Sequence, residues 1–133
     1  MKKSLILSTS IFAIAGCGTM NSQDFIGANP VPARTTIPLE YKIAGDRITT
    51  GARDCVPRVL GFNLSSEIDS DRSDSRTRIT YRISNMGSVR VSWILDVEPA
   101  TNGAIISVYG PDQRAKNVVQ WAKAWATNPG QCE

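Results

Sequence analysis

Apolar and polar residues alternate with a period of two between Arg76 and Val97. In Arg76–Ser84, Thr77, Ile79, Tyr81 and Ile83 take one side, and Arg76, Arg78, Thr80 and Arg82 take the other. In Ser88–Val97, Val89, Val91, Trp93, Leu95 and Val97 share a side. Such alternation predicts half-buried strands. Asn85-Met86-Gly87 predicts a tight turn between them, with glycine available for positive φ. Ala104–Gly110 predicts a shorter strand, set off by Pro99 and by Asn102-Gly103. Leu39–Ile43 also alternates and predicts a strand that Gly45-Asp46 ends. Phe62, Leu64 and Ile68 predict another, followed by a polar loop over Asp69–Ser75.

Two stretches change period. Ala115, Val118, Val119, Ala122 and Trp125 recur at helical spacing after Pro111, which is tolerated at a helix start. A shorter helix is predicted from Asp54 as N-cap through Val56, Val59 and Leu60, with Gly61 as its stop. Pro57 fits only the first turn of such a helix. The element order is therefore β-α-β-β-β-β-α. It predicts a two-layer α+β domain, with an antiparallel sheet of about five strands and both helices on its apolar face. Trp93, Trp121 and Trp125 are expected to meet between helix and sheet. In element order the domain resembles helix-grip domains such as those of BamC, in which a helix lies along a curved antiparallel sheet.

The first residues obey neither period. Met1-Lys2-Lys3 is followed by Leu5–Ala15, an apolar run of 11 residues. As a helix the run is too short to cross a bilayer core of roughly 30 Å. It has the shape of a secretory leader. Ile14-Ala15-Gly16-Cys17 then resembles the lipobox of bacterial lipoproteins. The resemblance implies cleavage before Cys17 and diacylglycerol on its thiol, with the new amine acylated. It also implies that the protein meets the membrane through lipid on Cys17. Residue 18 is glycine where aspartate signals inner-membrane retention, which implies delivery to the outer membrane. The expected organisation is a signal peptide over 1–16, a lipidated cysteine and flexible tether over 17–37, and one domain over 38–133. Pro30, Pro32 and scattered Gly, Asn and Ser mark the tether, and within it Phe25-Ile26 reads as a chance apolar pair.

Composition narrows the chemistry. The 133 residues include 15 basic and 12 acidic side chains, three cysteines and no histidine. Loss of Lys2 and Lys3 with the leader leaves 13 basic residues against 12 acidic ones, a net of +1, which gives no support to nucleic-acid binding. Without histidine, triads built on imidazole and metal sites that need it are excluded. The S-x-x-K, G-x-S-x-G, Walker and G-x-G-x-x-G patterns are absent too. In an oxidising compartment Cys55 and Cys132 are expected to form a disulfide, rather than to supply a catalytic thiol.

Three features invite a functional reading. Asp69-Ser70-Asp71-Arg72-Ser73-Asp74 opens like a calcium loop, but Asp74 and Thr80 stand where that loop needs glycine and glutamate, so a solvated acidic loop is expected and no metal. Asp96 and Glu98 are paired carboxylates of the type that flank a glycosidic bond, without a sign of a cleft. Arg76, Arg78, Arg82 and Arg90 form the candidate partner-binding cluster, able to hold carboxylates or phosphates bidentately. The competing reading is an outer sheet face neutralised by Asp69, Asp71, Asp74 and Asp96. Trp121 and Trp125 offer a stacking platform for sugars, but core packing is the preferred reading. The expected function is a non-enzymatic binding or structural module anchored to the outer membrane and facing the periplasm, without cofactor. Its expected partner is an envelope protein or the cell wall. The alternative is an inhibitor or surface-exclusion lipoprotein that blocks a lytic enzyme or phage.

Overall fold

A computed structural model describes residues 21–56, 59–61 and 64–132. The elements are α1 (Ser22–Ala28), β1 (Ala33–Ile37), α2 (Tyr41–Cys55), β2 (Val59–Gly61), β3 (Leu64–Arg72), β4 (Thr77–Asn85), β5 (Ser88–Ala100), β6 (Gly103–Tyr109) and α3 (Asp112–Thr127). The strands form one antiparallel sheet in the order β1-β6-β5-β4-β3-β2. This is the expected α+β fold with an antiparallel sheet. The sheet has six strands where about five are expected: β1 and the three-residue edge strand β2 are additional, and Leu39–Ile43 supplies none.

α2 and α3 pack on one face. Their Ala44, Ile48, Ala52, Val118, Ala122 and Trp125 share a core with Ile79, Trp93, Leu95, Val97, Ile106 and Val108 of the sheet. Transfer of that apolar surface out of water is the main stabilising term. A third helix, α1, lies on the opposite face. There Phe25 packs against Val91 and Ile94, with Ile26 and Tyr109 alongside.

Residues 22–37, expected within the tether, thus contain α1 and β1. Phe25 supplies the reason: it is buried, and its ring covers Ile94, an apolar residue on the otherwise polar face. Asn21 caps α1 by accepting a hydrogen bond from the Asp24 amide at 2.8 Å. β1 then pairs with β6 from Ala33↔Val108 to Ile37↔Ala104.

The Leu39–Ile43 strand is corrected by α2, and the helix expected from Asp54 to Gly61 is corrected too, since α2 ends at Cys55 and Val59–Gly61 form β2. In α2 the buried positions Ala44, Ile48, Thr49, Gly51 and Ala52 follow helical spacing. The Glu40 carboxylate accepts from the amides of Lys42 and Ile43 at 3.0 and 3.1 Å and starts the helix. Gly45 lies inside the helix instead of ending a strand. A Cβ there would stand 2.7 Å from Thr77 Oγ1, so glycine lets α2 approach the sheet.

β3 extends through Arg72, which corrects the loop expected over Asp69–Ser75. Asp69 pairs with Thr80 and Asp71 with Arg78, as strand residues. The connection to β4 is short, and the Ser73 amide donates to the Arg76 carbonyl at 2.8 Å. At the other end of β4, Met86 and Gly87 have φ of 49° and 85°, the paired positive values of a two-residue hairpin turn.

Cys55 at the end of α2 is bonded to Cys132 beyond α3, with 5.0 Å between Cα atoms and 77 residues of separation. In the chain-entropy account a loop of that length contributes about 4.5 kcal/mol by restricting the unfolded chain.

Candidate functional site

The face that carries α1 also carries most of the charged cluster. Arg78 and Asp96 stand directly opposite each other across β4 and β5. Arg78 donates from Nε and Nη2 to the two carboxylate oxygens, both at 2.7 Å. This is a bidentate, charge-assisted pair. Asp96 is only 1% exposed, and Arg76 approaches it to 3.9 Å. The Asp96 hydrogen bond raises the Arg78 pKa above the ordinary arginine value, against the opposing effect of burial. Four residues further along β4, Arg82 reaches Asp69 at 3.0 Å and Glu67 at 3.7 Å. Those acids are well exposed, so such pairs contribute only about 0.2–1 kcal/mol.

Three of the four candidate arginines are therefore occupied by carboxylates of the same sheet. This is the neutralised outer face that competed with the partner-binding reading. Asp96 is held beneath two arginines, and its geometry does not open a cleft for acid–base work on a sugar.

Arg90 is on the other face. Tyr81 pairs with Trp93 but Arg82 pairs with Val91, so Ser92 is an extra residue in β5. That bulge reverses the phase of the strand before it. Val91 consequently packs with Phe25 and Ile94 instead of joining Trp93, Leu95 and Val97. Arg90 pairs with Ile83 and shares its side, the side of α2 and α3. The sequence carries no trace of the slip, because Val89, Val91 and Trp93 keep strict alternation through it; Ile94, in regular register beyond the bulge, marks only the seat of Phe25.

The bulge also builds a groove. Beyond the start of α3, Leu64, Ile83, Asn85, Ser88 and Arg90 line a depression of about 340 Å³ with Arg114 of α3. Arg114 Nη1 donates to the Ser92 carbonyl at 3.4 Å. Among the described residues Arg90 is the arginine with neither an ion pair nor a hydrogen bond, and no acidic side chain lines the groove. Arg114 was not singled out by sequence, because its position off the apolar stripe of α3 looks like any solvated helix residue.

The tryptophans divide. Trp93 stacks on Tyr81 with centroids 5.4 Å apart, and Trp125 is buried under Gly51 of α2, both as core. Trp121 does not join them between helix and sheet; it is 41% exposed, with its ring 6.3 Å from that of Trp125. Its place on α3 turns it away from the buried stripe of Val118, Ala122 and Trp125.

Among the described residues no group of His, Cys, Asp or Glu has the arrangement of a metal site. Nor is any described helix long and apolar enough to cross a membrane. The lipobox and Cys17 lie outside the described residues. The chain matches no family model, and no curated protein resembles it significantly in sequence.

Proposed function

We propose that this chain is a lipoprotein of the bacterial outer membrane, and that its α+β domain is a non-enzymatic binding module in the periplasm. The observation that carries the reading is Ile14-Ala15-Gly16-Cys17 at the end of an 11-residue apolar run with lysines before it. The Cys55–Cys132 bond supports it, since such bonds persist in oxidising compartments. The absence of histidine and the commitment of Asp96 to Arg78 favour binding over catalysis. The partner on this reading is an envelope protein or the cell wall.

The fold changes the geometry of anchoring. α1 begins at Ser22 with Asn21 as its cap, so four residue steps separate Cys17 from the folded domain. They span at most about 14 Å. A domain anchored at Cys17 would stay beside the bilayer, with the face bearing α1 nearest the attachment point. Two or more acyl chains there would give stable anchoring.

Metabolic labelling with palmitate tests the reading. The native chain should take up label and sediment with outer membranes, and Cys17→Ser should remain unlabelled. A native chain without label that washes free in buffer refutes the anchor. Crosslinking in the cell followed by capture should then recover specific envelope proteins or cell wall; protection of the host against a lytic enzyme or phage, lost on deletion, would favour the inhibitor reading instead.

A further inference from the structure

The groove beyond α3 is a better binding site than the arginine cluster that sequence brings forward. From its geometry we infer that it binds a carboxylate carried on a compact apolar body, as at the C-terminus of a peptide that ends in an aliphatic residue.

Three observations converge. First, two guanidinium groups line one depression, and neither has a carboxylate partner among the described residues. Arg72, Arg76, Arg78 and Arg82 each have one, and Arg34, Arg47 and Arg53 donate to uncharged oxygens elsewhere, so Arg90, beside Arg114, is the described arginine left with no partner. Guanidinium forks suit carboxylate geometry, and an exposed cationic depression draws anions. Second, the floor is apolar. Leu64 and Ile83 lie on the helix-bearing side and are only half-buried, Ile83 at the edge of the main core. A bare inorganic anion would leave those groups wet, whereas an aliphatic side chain would cover them. Third, Asn85 and Ser88 line the same depression and can exchange hydrogen bonds with a peptide amide. A volume near 340 Å³ is at the small end of ligand pockets and suits one or two residues.

The bulge at Ser92 is what makes the site. With regular pairing, Arg90 would stand on the face of Arg78 and Arg82, beside their acids. The extra residue moves it across the sheet and turns a carbonyl toward Arg114.

The site gives a chemical class to the partner of the proposed binding module, and its test does not depend on lipidation. The full chain is labelled with nitrogen-15, held in detergent micelles and titrated with N-acetyl-leucine, N-acetyl-leucine amide and inorganic phosphate. The acid should produce saturable shifts at the Ser88–Trp93 and Arg114–Lys116 amides, and the amide should bind at least about tenfold more weakly. Arg90→Ala should reduce affinity for the acid by about the same factor and leave the thermal midpoint unchanged, because Arg90 holds no other residue. Peptides ending Leu with a free or an amidated terminus then distinguish a protein tail from a free acid as the source. Equal binding of acid and amide, equal shifts with phosphate, or shifts confined to other residues overturn the inference. Absence of palmitate on Cys17 with these shifts intact refutes the anchor alone.

Discussion

Replacing Arg78 by methionine strips the Asp96 carboxylate of both of its 2.7 Å hydrogen bonds. The carboxylate is 1% exposed, so water cannot take over. The one cation left nearby is Arg76, at 3.9 Å and itself 40% exposed. Breaking a buried pair by removing one partner costs roughly 3–5 kcal/mol. Relaxation of Arg76 toward the carboxylate places the expected loss near the lower end, about 3 kcal/mol. For a domain near 100 residues that is a fall in Tm of roughly 12–24 °C. Urea unfolding should show the same loss in midpoint with an unchanged slope. The double variant Arg78→Met with Asp96→Leu removes both charges and should lie within about 1 kcal/mol of the parent, so the two single losses should not add. The Arg78 pKa is raised in the folded state. Its contribution is therefore complete below arginine's ordinary value and is lost only in strong alkali, so the deficit should be constant across neutral and mildly alkaline pH. A loss below about 1 kcal/mol, or additive single losses, would show that the pair behaves as a surface ion pair and refute the assignment of Arg78 to structure.

Two further substitutions probe the helices. Phe25→Ala removes the ring that holds α1 over Val91 and Ile94. A seven-residue helix does not persist alone, so amide exchange over Ser22–Ala28 should become as fast as in free chain, at a cost of about 3 kcal/mol; retained protection would show that α1 is held by something other than Phe25. Gly51→Ala places a methyl within 2.3–2.7 Å of the buried Trp125 side chain. Overpacking of roughly 1–3 kcal/mol opposes a helix-propensity gain of up to about 1 kcal/mol, for a net loss of about 1 kcal/mol read by denaturant midpoint; a stabilised variant would mean that the α2–α3 contact is loose.

Where one face of an element meets water, its sequence shows it. β4, β5 and α3 are legible because Ile79 and Tyr81 alternate with Arg78 and Thr80, and because Val118, Ala122 and Trp125 recur along one stripe. α2 was hidden by two glycines. Gly45 and Gly51 look like breaks, yet each marks a place where the helix backbone touches Thr77 or Trp125. Such contacts are tertiary and leave no periodic trace. α1 was hidden by its size, since a single buried phenylalanine does not define a period. The binding site suffered from a different problem. A pattern of period two is only as good as its phase, and the one-residue slip at Ser92 moves Arg90 from one side of the sheet to the other. The disulfide was legible because the leader-like run over Leu5–Ala15 raised the expectation of an oxidising compartment, and setting Cys17 aside left only Cys55 and Cys132.

The Cys55–Cys132 bond also determines how the molecule answers tension. A pull transmitted from one end of the chain to the other bypasses the whole 77-step stretch between the two cysteines, which would otherwise add about 260 Å of slack. Among the described elements, α1, β1 and α2 precede the crosslink and can pay out length. Under strain the protein would behave as a short spring in series with a closed ring, and the groove, which lies wholly within the ring, would keep its shape while the spring yields.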